Sequence, residues 1–141
     1  MKQILLLAAA AALLTATSAW TLSGATLTVT GTGLKNDEGQ LVIALFDSPD
    51  NYLEAPIDEK MVAIESTLEG VAVFDNLPPG KFVAVAFHDR NADGQLNTVM
   101  RLPRENYGFS NDARSLFGPP SFSKAAFEVG DKDLKIAFPI H

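Results

Sequence analysis

The chain contains no cysteine. That excludes disulfides, thiolate metal sites, a cysteine nucleophile and acylation at a lipoprotein cysteine. Positive charge is scarce: 11 Lys and Arg against 17 Asp and Glu leave a formal net charge of −6. Binding to nucleic acid relies on a cationic surface that displaces counterions from phosphates, and this chain offers none. A polybasic membrane-surface module is disfavoured on the same ground. Long apolar runs are missing except for one of eleven residues at positions 4–14. Crossing a bilayer takes about 20 apolar residues, so that run is too short for an anchor. A helical stripe is lacking after it, and so is a G-x-S-x-G nucleophile motif. What is present is the composition of one ordinary globular domain: 141 residues, 47% hydrophobic and 20% charged.

The apolar run sits where an export signal belongs. Lys2 and the amino terminus supply positive charge ahead of it, and Thr15, Ala16, Thr17, Ser18 and Ala19 supply small residues behind it. This order predicts a signal peptide over residues 1–19, cleaved after Ala19 with Thr17 at the −3 position. The mature domain is then 20–141, periplasmic or extracellular, with no membrane insertion after cleavage. Losing Lys2 and no acid makes it more acidic still. A domain of this size can bury a workable core without covalent staples.

Beyond the leader the chain reads as short strands. In residues 25–33, Leu27 and Val29 alternate with Thr26, Thr28 and Thr30, which predicts a half-buried strand. Residues 41–46 and 82–88 are apolar at successive positions, as suits strands covered on both faces. Residues 61–68 alternate, a turn follows at Glu69-Gly70, and residues 71–74 continue. Residues 125–129 and 134–138 read as a hairpin around Gly130-Asp131. Residues 121–127 have room for one helical turn, with Ser121 or Ser123 as its cap. The fold expected is all-β: a small seven-stranded antiparallel two-sheet sandwich with one long irregular loop. A βαβ unit is disfavoured, because no segment offers the crossover helix. Two connections are too long for turns, 47–60 and 89–122, and chemistry is sought in the second.

That second loop opens with Asp89-Arg90-Asn91-Ala92-Asp93-Gly94-Gln95-Leu96-Asn97, which fits D-x-N-x-D-G. Oxygen ligands at alternate positions converge on a hard cation when the chain curls, and a glycine at the sixth position permits the bend. The candidate calcium ligands are Asp89, Asn91, Asp93, the Gln95 carbonyl and Asn97. A helical hand would place a bidentate Glu at the twelfth position, where Met100 stands. Two carboxylates predict weak binding, on the order of 10⁻⁴ to 10⁻³ M. The competing reading is an Asx-rich turn in which Asn and Asp accept backbone N–H bonds and Gly94 takes a left-handed conformation.

Other residues carry lesser signals. His88 ends an apolar strand, and an enzyme reading makes it the base of a small hydrolase or lyase, with Asp89 or Glu105 beside it. A structural histidine bonded to loop backbone is the simpler expectation. Asn106-Tyr107-Gly108-Phe109-Ser110-Asn111 and Phe117-Gly118-Pro119-Pro120-Ser121-Phe122 interleave aromatics with turn residues. They predict either a platform for a sugar or peptide, or a lid with its own small core. Arg101, Arg104 and Arg114 are available to clamp an anion or to balance neighbouring acids.

The run LPPGKFVAVAFHDRNADGQLNT, then ENYGFSN, then GPPSF, resembles an exported bacterial family known as domain of unknown function 2141. The resemblance spans roughly Thr26 to Phe138. It implies a small β-sandwich of the transthyretin-like (prealbumin-like) or carboxypeptidase-regulatory kind, and it brings no established reaction. Relatives usually carry Asp at the position of Asn97 and often Asn at that of Asp93. The function expected is therefore a non-enzymatic binding or envelope-interaction module with a weak calcium loop, facing a protein or carbohydrate partner.

Overall fold

A computed structural model describes residues 24–95, 98–99, 102–103 and 105–141. The expected leader at 1–19 and the start of the mature chain at 20–23 lie outside the described residues, as does Asn97. The elements run β1 (Ala25–Thr32), β2 (Gln40–Phe46), β3 (Asp58–Val62), β4 (Gly70–Leu77), β5 (Gly80–Asp89), β6 (Thr98–Val99), β7 (Leu102–Pro103), β8 (Tyr107–Phe109), a 3₁₀ turn (Ser110–Asp112), α1 (Phe122–Ala125), β9 (Phe127–Val129) and β10 (Leu134–Pro139). Two sheets carry the fold: β10-β1-β4, and β3-β2-β5-β8 with β9 also on β5. The protein is thus an all-β two-sheet sandwich. β6 and β7 form a separate two-stranded ribbon within the long loop. Among the described residues no helix is long and apolar enough to cross a membrane.

Strand patterning explains the layers. β1 alternates buried Ala25, Leu27 and Val29 with half-exposed threonines, so one face meets the core and the other meets solvent. β2 and β5 are buried on both faces. Their inner residues, Leu41, Ile43, Leu45, Phe82, Ala84 and Ala86, join Leu27, Val29, Phe74 and Phe138 in the main core between the sheets. Their outer residues Ala44, Phe46 and Val83 join Phe109 and Ala125 in a second, smaller core, against which Tyr52, Phe122 and Tyr107 pack. The continuous apolar runs of β2 and β5 therefore mean what they were expected to mean, a sheet covered on its far side by loops.

Four expectations are corrected. The sandwich is not wholly antiparallel, because β1 and β10 pair in parallel, with Leu27 opposite Leu134 and Val29 opposite Ile136. The expected hairpin of β9 and β10 does not form. β9 pairs with β5 in one sheet and β10 with β1 in the other, so residues 130–133 turn a corner between sheets. The third strand ends at Val62, and residues 63–69 turn through Glu65 N–H to Glu69 and Leu68 N–H to Glu65. The sequence alternation there comes from a turn whose Leu68 takes a left-handed φ of 61°. The strand count exceeds seven because β8 and the β6–β7 ribbon are drawn from the loop expected to be irregular.

One edge of β5 is divided between two short strands. β9 pairs with Gly80–Phe82 and β8 with Val85–Phe87, leaving Val83 and Ala84 between them. Ser110 fills the break: its Oγ accepts the Ala84 N–H at 3.1 Å and donates to the Ala125 carbonyl at 2.6 Å. The hydroxyl takes the place of a missing ladder residue, and the Asn111 side-chain amide adds a bond to the Ala126 carbonyl at 2.8 Å. α1 follows Ser121, as the sequence predicts, although the Ser121 side chain makes no capping bond.

Candidate functional site

The D-x-N-x-D-G loop closes on itself. Asp89, at the end of β5, is 0% exposed. Its Oδ1 accepts the Asp93 N–H at 3.2 Å, and its Oδ2 accepts the Gly94 N–H at 2.7 Å and the Gln40 side-chain amide at 2.9 Å. Burial pushes the Asp89 carboxyl up, but bonds from Gln40 and from the Gly94, Asp93 and Ala92 N–H groups outweigh it and hold it below the ordinary carboxylate range. A carboxylate has about four acceptor sites, and the bonds from Gln40, Asp93 and Gly94 occupy three of them. Gly94 takes a φ of 74° and Ala92 one of 55°, which brings the N–H groups round to the carboxylate. Gly39 permits the close approach from the other side, since a Cβ there would lie 2.1 Å from the Asp89 carbonyl oxygen.

Of the candidate calcium ligands, the structure brings Asn91 and Asp93 together: the Asn91 amide donates to Asp93 Oδ2 at 2.9 Å. Asp93 Oδ1 accepts the Gln95 N–H at 2.8 Å. Asn91, Asp93 and Gln95 are exposed, whereas Asp89 faces inward. Calcium takes six to eight oxygens. With most of the Asp89 acceptor sites taken, the described candidates left facing outward are the side chains of Asn91 and Asp93 and the Gln95 carbonyl, and the inward bonds of Asp89 are those of an Asx-type turn.

His88 is 1% exposed and its Nε2 lies 2.7 Å from the Glu38 carbonyl oxygen, to which it donates. A buried ring tied to loop backbone has the environment of a structural histidine. Glu105 is also buried. Arg101 and Arg104 lie outside the described residues.

A cleft of about 200 Å³ opens elsewhere, lined by Tyr107, Phe109, Asp112, Arg114, Pro120 and His141 among others. Its floor is β8, held against the end of β10 by Tyr107 N–H to the His141 carbonyl and His141 N–H to the Tyr107 carbonyl. Gly108 is required between them, because a Cβ would stand 2.2 Å from the Pro139 carbonyl oxygen. Asn111 and Asp112 follow with φ of 62° and 47°, two successive left-handed residues without a glycine. Backbone of this kind costs free energy and clusters at functional sites.

That turn aims Asp112 at two partners. Its carboxylate meets the Arg114 guanidinium, with Nη2 3.2 Å from both oxygens, and its Oδ1 lies 3.1 Å from His141 Nε2. Arg114 Nη2 also contacts His141 Nε2. The hydrogen bond from His141, helped by the charge of Arg114, holds the Asp112 carboxyl below its ordinary value. When neutral at Nε2 the ring accepts from Arg114; when protonated it donates to Asp112. Tyr52 braces the far wall: its hydroxyl donates to the Pro120 carbonyl at 2.8 Å, and its ring stands edge-on to Phe46 and Phe122. Burial pushes the Tyr52 hydroxyl up to about 12. Between the lining residues Ser115 and Gly118, Leu116 and Phe117 are 92% and 94% exposed.

Arg114 and the Tyr107 and Phe117 segments, Ser110 among them, are singled out by the sequence, whereas Asp112 and Tyr52 are not. The signal for Asp112 is faint, an acid two residues before an Arg inside a turn.

The chain matches, over residues 29–137, the model of a family described as an uncharacterized protein conserved in bacteria, DUF2141. No curated protein and no solved structure matches it. The chain belongs to the DUF2141 family.

Proposed function

We propose that this DUF2141 member is an exported, non-enzymatic β-sandwich that binds a small ligand or the end of a larger one in the cleft beside β8. The observation that carries this reading is the Asp112–Arg114–His141 cluster, which sets hydrogen-bond donors and acceptors against the apolar wall of Tyr107, Phe109 and Pro120. Strained backbone at Asn111 and Asp112 holds the cluster in place. The buried environment of His88 supports a binding role over hydrolysis. The leader-like residues 1–19 support export. The Leu77-Pro78-Pro79-Gly80 turn into β5 supports a sandwich of the transthyretin-like or carboxypeptidase-regulatory type. Fragment screening by amide NMR tests the reading. Hits should converge on Tyr107, Ala113, Arg114 and Gly118, and hits that scatter or cluster elsewhere overturn it.

A second reading keeps the D-x-N-x-D-G loop as a weak calcium site. It is favoured by the meeting of Asn91 and Asp93 on the outer side of the bend that Asp89 caps from within. With so few protein oxygens, water completes the shell and the affinity is on the order of 10⁻³ M. Calorimetry with calcium chloride is the test, and neither heat nor a melting shift at millimolar concentration removes this site.

A further inference from the structure

We infer that the ligand of the β8 cleft is a single neutral sugar ring, the terminal residue of a glycan, and that Phe117 closes over it as a stacking face. The inference rests on the cleft being the binding site, as proposed above, and adds the class of ligand and the residue that covers it.

Size and charge both point this way. A volume of about 200 Å³ lies below the roughly 300–1,000 Å³ of pockets for drug-sized molecules, so one ring fits and an extended ligand must project outward. Arg114 is already paired with Asp112 at 3.2 Å, so a carboxylate or phosphate arriving at the guanidinium meets the Asp112 charge. An ammonium arriving at Asp112 meets Arg114 in the same way. A neutral polyol avoids both conflicts. One of its hydroxyls donates to Asp112 while its oxygens accept from Arg114 and His141, and the ion pair need not break.

The apolar side is complementary. A sugar ring has C–H faces that pack on aromatic carbon, and Tyr107 lines one wall. Phe117 is 94% exposed and Leu116 beside it 92%, an adjacent apolar pair in water rather than a single scattered side chain. It stands between Ser115 and Gly118, both of which line the cleft. Gly118 has a φ of 85° and would meet nothing within 4 Å even with a Cβ, so the tip beside it has room to fold over.

The test uses the exported protein purified after expression of the full chain. Amide NMR titrations are run with methyl β-glucoside and N-acetylglucosamine, with sodium acetate and inorganic phosphate as anionic probes. A saturable millimolar shift at Tyr107, Ala113, Arg114 and Gly118 with a sugar, weakened about tenfold by Phe117→Ala, is the expected result. Because Phe117 is exposed, that variant should melt at the wild-type temperature. Saturation by acetate or phosphate and not by the sugars overturns the ligand class but leaves the cleft as the site. Sugar binding unchanged in Phe117→Ala overturns the closing role. If no probe shifts these amides the inference fails, while convergence of fragment hits on the cleft still decides the broader reading.

Discussion

Ser110 shows how much one hydroxyl can hold. It is fully buried and serves the Ala84 N–H and the Ala125 carbonyl at the gap between β8 and β9. Ser110→Ala leaves both groups unpaired away from water, and should cost about 1–3 kcal/mol in urea unfolding with an unchanged m-value. Tyr52→Phe is milder. It removes only the bond to the Pro120 carbonyl and keeps the ring packing, so a loss of about 1 kcal/mol is expected in the same assay. Asp89 acts through pH. Its folded carboxyl titrates below its unfolded value of about 4, so its stabilisation is complete above the unfolded value. That contribution fades as pH falls through the lowered folded value. Asp89→Asn should flatten the acid limb of the stability profile and lower stability at neutral pH by about 1.5–3 kcal/mol. A profile with an unchanged acid limb would show that another carboxylate controls it.

Among the elements, β8 is short but central, since it completes the β5 edge and forms the floor of the cleft. Its contact with the end of β10 leaves no room at Gly108. Gly108→Ala forces β8 away from Pro139 and should lower stability by about 1–3 kcal/mol. In NMR spectra it should also shift the amides of Tyr107 and His141, whose mutual bonds depend on that spacing. The elements were legible in the sequence to different depths. Two-sided burial of β2 and β5 was plain, because an apolar run with no polar face has no other stable place in a sandwich. The partners of β9 and β10 were not, since alternation marks a strand but says nothing about which edge it joins. The Asx turn at Asp89 was readable as one of two outcomes, because local spacing fixes both.

At the scale of the whole molecule the two sheets meet through residues such as Phe138, which is buried in the main core and reaches towards Gly108 of the opposite sheet. Phe138→Ala should cost about 3–5 kcal/mol in thermal or urea unfolding, with reductant making no difference to either chain. The cleft was the least legible feature. His141 stands 29 residues from Asp112 and 27 from Arg114, and only the closure of β10 beside β8 assembles them. The parallel pairing of β1 with β10 has one more result. Gly24 leads into β1 beside Asn76, whereas Ile140 bonds back to Thr32 at the far end of that strand, roughly 25 Å away. Anything attached ahead of Gly24 would hold the domain by one pole and leave the cleft beside β8 facing outward from the opposite hemisphere, like a cup on a stem.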